Sequence, residues 1–284
     1  MLIIGLTSPA GQQTGSPRGV SFMKIIVPIK QVPEAVEVRI KEAADTLNTD
    51  GVPRILNPFD LFAVEAAIQL KEEKGGEVVI MTMGPPQSTD AILKALAMGG
   101  DRAIHLTDPA FEGADSWSTA IVLAEQIRKM EYDLIICGRQ SMDWDLGQVG
   151  AELAELLDLP QITGVRHLEI TGDGKHVITH RVTEDGYEVV KAKMPVLLTA
   201  TKGLNEPRLP NIMGIMKAKK KPLETIDAAT LGLDASQIGR NGALSKTVRV
   251  FPPEKRKGGI KLEDVEPKEA AKQLVEFLAK KGAI

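Results

Sequence analysis

Along the first half of the chain, short wholly apolar runs alternate with longer segments whose apolar positions recur three and four residues apart. Residues 24–29, 77–83, 102–106 and 134–137 are of the first kind and read as strands buried on both faces. Residues 57–74 (with Ala63, Ala66, Ala67 and Leu70 on one side), 89–98, 116–130 and 151–157 are of the second kind and read as helices. Gly75-Gly76 closes the first helix as a C-terminal cap. This alternation predicts an α/β fold: a doubly wound, mostly parallel sheet with right-handed crossovers.

Past Gln161 the period drops to two. Residues 165–170, 177–182 and 187–193 are short alternating segments separated by Gly172-Asp173-Gly174 and Glu184-Asp185-Gly186, which predicts a small antiparallel meander with tight turns. Residues 195–200 form one more buried run, expected to return to the main sheet. From 201 to 259 there is little periodicity and much Lys, Pro and Gly, and 266–281 reads as a terminal helix. A tail of ~60 residues with few core positions is expected to be an extended C-terminal arm lying on another subunit. Residues 1–22 begin apolar and turn into Gly, Ser, Pro and Gln. Without a basic leading region they do not read as a secretory signal, and they are taken as a disordered extension outside the fold. The expected division is therefore 1–22 extension, 23–200 nucleotide-binding α/β domain, 201–222 loop and 223–284 arm with its helix.

Composition narrows the function classes. At 284 residues and 43% hydrophobic, the chain can bury a full core, and its net charge of −3 gives no footprint for nucleic acid or an anionic membrane surface. The run Lys217-Ala218-Lys219-Lys220-Lys221 is local, and a solvated face is its plain reading. Cys137 is the single cysteine, which excludes a disulfide framework and any multi-cysteine metal site; it reads as a packed thiol. The four histidines lie in strand-like segments without ligand spacing, so no metal site is expected. No apolar stretch approaches the ~20 residues of a membrane span, and the cytoplasm is the expected location.

The richest segment is Gly138-Arg139-Gln140-Ser141-Met142-Asp143-Trp144-Asp145-Leu146-Gly147-Gln148-Val149-Gly150. It leaves a buried strand and enters an amphipathic helix, which is where an open α/β sheet binds nucleotides. It is neither a Walker A loop nor a GxGxxG turn. Pro28 at the end of strand one, Asn57-Pro58-Phe59-Asp60 at a helix start, and Met83-Gly84-Pro85 at another strand end should face the same crevice. Asn57 with Pro58 at the first helical position also makes an ordinary helix cap, so ligand and structural roles stand level there. Asp143 and Asp145 suit either turn closure or acceptance from ribose hydroxyls or an adenine amino group. Gln148 is placed to donate to a phosphate, and Arg139 either neutralises phosphate or pairs with a carboxylate. No nucleophile–base pair stands out, so the chain reads as a cofactor binder.

With Val27-Pro28-Ile29-Lys30-Gln31-Val32-Pro33, Asn57-Pro58-Phe59-Asp60, Ala95-Leu96-Ala97-Met98-Gly99-Gly100-Asp101, the 138–150 loop, and Leu204-Asn205-Glu206-Pro207-Arg208 leading to the lysine run, the chain resembles the β subunit of electron transfer flavoprotein from Met23 onward. The resemblance implies a heterodimer with an α subunit that carries an electron-transferring FAD. It also implies a nucleotide on the β crevice, AMP in simple members or a second FAD in electron-bifurcating ones. The matching positions are Pro28, Asn57, Pro58, Phe59, Asp60, Met83, Gly84 and the loop from Gly138 through Val149. The family's partner-recognition loop falls at 209–216, with Ile212 as the anchor for an acyl-CoA dehydrogenase and Met213, Met216 and Lys217 partner-facing. Gln148-Val149-Gly150, Lys30-Gln31-Val32-Pro33, Thr82-Met83-Gly84-Pro85-Pro86 and Ala110-Phe111-Glu112-Gly113-Ala114-Asp115 resemble the bifurcating branch. Trp144, where that branch commonly has a small residue, departs from it, and Asn205-Glu206-Pro207-Arg208 and the lysine run are nearer the simple branch. FAD is thus the implied β-site cofactor and AMP the alternative. In the FAD reading NADH supplies electrons that pass to the α flavin and to ferredoxin or flavodoxin. Two other classes share the fold, a universal-stress-type nucleotide-binding domain and an adenylating enzyme. The long tail argues against the first, and the lack of a Gly–Ser loop after strand one against the second.

Overall fold

In the computed structural model, which describes residues 4–6, 22–34, 39–41, 46–48, 51–251 and 261–284, strands form where the wholly apolar runs lie. β1 (Ile4–Leu6) and β2 (Met23–Pro28) come first; β3 (Gln31–Pro33), β4 (Arg39–Lys41), β5 (Thr46–Asn48) and β6 (Arg54–Leu56) then pair as two short antiparallel ribbons, β3 with β6 and β4 with β5. Helix α1 (Pro58–Lys74) leads to β7 (Gly76–Met83), α2 (Thr89–Met98) to β8 (Arg102–Leu106), α3 (Ser116–Arg128) to β9 (Leu134–Gly138), and α4 (Val149–Leu156) to β10 (Gln161–Ile170). β11 (His176–Thr183) and β12 (Gly186–Lys193) continue from β10 as the antiparallel meander, and β13 (Val196–Ala200) returns to the parallel part. Each βαβ passage places a helix on one face of the sheet, as crossover handedness requires.

One ten-stranded sheet results, ordered β1-β12-β11-β10-β13-β9-β2-β7-β8, with a last edge strand at residues 223–226. The meander is thus a continuation of the parallel sheet. From β2 the chain steps outward through β7 and β8, then crosses back to lay β9 on the other side of β2. The strand order reverses between β2 and β9, and such a switch point opens a crevice at the carboxyl ends of the two strands. Ile25, Ile26, Val27, Leu134, Ile135 and Ile136 are all buried, because helices cover both faces. Ile25, Val27 and Ile136 pack with α1 and α2; Ile26, Ile135 and Cys137 pack with α3 and α4.

Beyond β13 the chain is more structured than its patterning indicates. It forms α5 (Ile212–Ala218), β14 (Leu223–Ile226), α6 (Ala228–Leu231), α7 (Gly239–Gly242) and α8 (Pro267–Lys280). β14 joins the sheet parallel to β8, so the segment expected as an arm begins by completing the sheet edge. Only Ile226 of that strand is buried, which is why no apolar run marks it. Most of the expected N-terminal extension lies outside the described residues, while Ile4–Leu6 pairs in parallel with β12. Among the described residues, no helix is long and apolar enough to cross a membrane.

Candidate functional site

The carboxyl ends of β2, β7 and β9 surround a cleft of about 940 Å³, within the size range of small-molecule sites. Its near wall is built by backbone that the sheet cannot extend further. After Pro28 the chain is held by Thr82 Oγ1 donating to Ile29 O at 2.7 Å. After Gly138, the Arg139 N–H donates to Ala200 O at 2.8 Å, and then the loop departs. Of the expected cofactor residues, Pro28, Asn57, Asp60, Met83, Gly84, Gly138, Arg139, Gln140, Ser141, Asp143, Trp144, Leu146, Gly147, Gln148 and Val149 line this cleft. Pro58, Phe59, Met142 and Asp145 do not.

Asn57 does more than start a helix. Its side chain makes no cap bond to α1. Instead its Nδ2 donates to Gln140 O and to Asp60 Oδ1, both at 2.9 Å, and its Oδ1 accepts from Met142 N–H at 3.1 Å. A single buried amide thus fastens the 138–150 loop to the first turn of α1. Asp60 Oδ2 accepts from Lys30 N–H at 2.7 Å. Burial raises the Asp60 carboxyl to about 7, against the lowering pull of the Lys30 N–H, Asn57, the Lys30 charge and the Gly138 N–H. Gly138 is glycine for want of room: a Cβ there would stand 2.1 Å from Asp60 Oδ1.

The loop is braced at further points. Lys30 Nζ pairs with Asp143 at 2.7 Å and lies 3.4 Å from Ser141 Oγ. Asp145 takes the left-handed conformation (φ 58°), which a short polar side chain tolerates, and accepts from Gln140 Nε2. Asp145 N–H in turn donates to Ser141 O. Both aspartates are therefore engaged with protein partners. Gln148 caps the start of α4 only by position; its Oε1 accepts from Ser116 Oγ at 3.0 Å. Cys137 is buried at the cleft floor, and burial together with the nearby Asp60 charge raises its thiol, so it stays protonated. His105 Nε2–H donates to Gly84 O at 3.0 Å, and burial lowers the imidazole. Among the described residues no group of His, Cys, Asp and Glu is arranged to hold a metal ion.

The expected partner-facing residues lie on a separate surface. Asn211 Oδ1 caps α5 by accepting from Gly214 N–H at 2.7 Å. Gly214 turns its bare face to α2, where a Cβ would stand 2.4 Å from Ala97 O. With that face against α2, Ile212, Met213, Ile215 and Met216 are left exposed, Ile212 at 78%. The end of the lysine run is structural: Lys221 Nζ donates to Leu96 O at 2.9 Å, satisfying a carbonyl at the C-terminus of α2.

Comparison with known proteins agrees with this architecture. A family model described as the electron transfer flavoprotein domain matches residues 45–231. An electron transfer flavoprotein subunit beta of Thermoanaerobacterium thermosaccharolyticum is 47% identical over 264 residues, covering 92% of this chain and 100% of the relative. This chain belongs to the electron transfer flavoprotein β-subunit family. Other relatives include the electron transfer flavoprotein subunit beta of Megasphaera elsdenii, 41% identical over 90% of this chain and 98% of its own. The caffeyl-CoA reductase-Etf complex subunit CarD of Acetobacterium woodii is 42% identical over 92% of this chain and 100% of its own.

In this β subunit the cleft also takes residues that the sequence motifs did not single out as contacts. Lys30 and Gln31 follow β2, and Arg54 comes from β6. Residues 111–116 and Thr119 come from α3 and the turn before it, and Arg240, Ala243, Ser245, Lys246 and Thr247 come from the segment beyond the sheet. Lys30, Gln31 and residues 111–115 sit inside motifs already notable as sequence, whereas Arg54 does not. The last group has no local signal, because its place depends on the whole chain returning to the cleft.

Proposed function

We propose that this β subunit pairs with an electron transfer flavoprotein α subunit in the cytoplasm and holds FAD in the cleft at the β2/β9 switch point. The observation that carries this reading is the loop of residues 138–150 fastened by Asn57 across that switch point. The chemistry a bound FAD supplies is uptake of a hydride from NADH and release of single electrons, one to the α-subunit flavin and one to ferredoxin or flavodoxin. The chain's own part is positional. Asn57 and the Lys30–Asp143 pair fix the loop, Arg139 faces the cleft with its charge, and the N-terminus of α4 points a partial positive charge toward phosphate. The arm and α8 lie on the α subunit, and α5 presents Ile212, Met213, Met216 and Lys217 to an acyl-CoA dehydrogenase or a similar flavin dehydrogenase. The relation to a subunit named for a caffeyl-CoA reductase–Etf complex supports a dehydrogenase partner of the acyl-CoA type. AMP is the other reading, and Trp144 favours it: its ring, 50% exposed, takes up room on the cleft wall.

Co-purification with the α subunit followed by nucleotide extraction separates the two. Two FAD per heterodimer is the expected result; one FAD with one AMP would leave an electron carrier without bifurcation. Ile212→Asp should lower electron transfer to the dehydrogenase and leave flavin content unchanged, because the side chain is exposed in this chain. Loss of flavin with unaltered partner affinity would contradict the docking assignment.

A further inference from the structure

The cleft has a rim that the α/β alternation does not build. After β14 and α6 the chain returns to the cleft, and residues 239–247 run along it as a strap. Its seat is the segment 110–115, a motif that makes few claims on the site by itself. Arg240 N–H donates to Glu112 O at 3.0 Å. Gly239 lies so close that a Cβ would stand 2.0 Å from Ala110 O. Asp115 serves two elements: Oδ1 caps α3 by accepting from Ser118 N–H at 3.0 Å, and Oδ2 accepts from Ser245 N–H at 2.8 Å and Ser245 Oγ at 3.0 Å. Gly113, at φ +76°, leaves the Arg240 side chain its path; a Cβ there would stand 3.1 Å from both Arg240 Cβ and Nε.

The strap brings charge. Among the described residues, Arg54, Arg139, Arg240 and Lys246 line the cleft with side chains that make no hydrogen bond or ion pair to the protein. Of the lining carboxylates, only Glu112 is equally free. Asp143 pairs with Lys30, Asp115 holds Ser118 and Ser245, and Asp60 accepts from Lys30 and Asn57. Four free cations against one free carboxylate, focused in a concave site, suit a ligand with several negative charges. Two of the four come from the strap.

We infer that residues 239–247 are part of the nucleotide site, with Arg240 and Lys246 neutralising ligand phosphate, and that segment 110–115 acts on the ligand through the strap it seats. This rests on the nucleotide reading of the cleft. Phosphate charge is then gripped partly from outside the parallel sheet, and the grip depends on the Asp115–Ser245 tie.

The test uses the complex with its α subunit, stripped of cofactor and titrated with FAD, AMP and adenosine. Arg240→Gln and Lys246→Gln should each weaken FAD or AMP binding about tenfold, the loss of one charge-assisted contact. The pair should lose about a hundredfold and show a shallower dependence on salt. Adenosine, which lacks phosphate, should bind the variants and the parent alike. Ser245→Pro, which removes both donors to Asp115, should reproduce the nucleotide defect with Arg240 and Lys246 intact. Variants that bind nucleotide as the parent does would overturn this inference alone, as would an equal loss for adenosine. A parent that binds neither FAD nor AMP would overturn the reading of the cleft itself.

Discussion

Asp60 is where three segments meet: the exit of β2, the first turn of α1 and the exit of β9. A buried carboxyl held at about 7 has a signed consequence for stability. The unfolded chain releases this proton near ~4, so between the two values the folded state keeps a proton the unfolded state has lost. Its stabilising contribution is complete below ~4 and is lost as pH rises through about 7, at up to ~1.4 kcal/mol per pH unit. Asp60→Asn carries a fixed cost for its altered hydrogen bonds but not this loss. In the cofactor-free protein, its thermal midpoint relative to the parent should therefore improve between pH 5 and pH 8; a difference that stays constant would mean that Asp60 does not titrate there. Gly138→Ala should be destabilising and lower cofactor retention, since its Cβ meets Asp60 Oδ1 and the α1 backbone. Much at this scale was legible only as residue type. Asn57-Pro58 announces a helix start, but the loop partners of Asn57, Gln140 and Met142, lie 83 and 85 positions away. No local spacing encodes that contact.

At the scale of elements, the parallel strands and their helices were readable because burial on both faces demands unbroken apolar runs. The later elements were not. β14 buries one residue of four, α7 spans four residues, and α5 leaves most of its apolar side chains in solvent. α5 itself is seated by close packing, with Gly214 against α2 and Ala218 buried in the core, while the segment just before it is anchored by charge. Arg208 forks between Glu65 and Glu72 of α1, with contacts of 2.6 to 3.0 Å, and its own N–H also donates to Glu65. Glu65 is 3% exposed, whereas Arg208 and Glu72 are partly in water, so the fork falls toward the weaker end of buried pairs. Arg208→Ala should destabilise the protein by about 2 kcal/mol in denaturant unfolding, because it strands a buried carboxylate. Arg208→Lys should recover part of that, keeping the charge without the fork. An unchanged midpoint in Arg208→Ala would mean Glu65 finds water instead.

At the scale of the molecule, the switch point explains why one cleft collects residues from opposite ends of the chain. A doubly wound, mostly parallel sheet could be anticipated from the alternation of the elements, and with it a crevice at the carboxyl ends of the strands. That the chain would come back over the crevice after β14 could not, since the returning segment has neither period nor apolar run. The last element has a different fate. α8 is 14 residues long, and no side chain on it is buried, although it carries the large apolar residues Leu274, Val275 and Phe277, all exposed. A helix of that length has marginal order in water without packing. Deleting residues 262–284 should therefore leave the thermal midpoint of the lone subunit unchanged, as measured by calorimetry, while weakening its association with the α subunit. Left unassembled, the subunit should exchange its α8 amides as fast as an open peptide and lose that end first to a protease. Assembled, the same amides should become slow to exchange. The C-terminal helix would then serve as a mark of incompletion, by which an orphan copy can be told from a finished heterodimer.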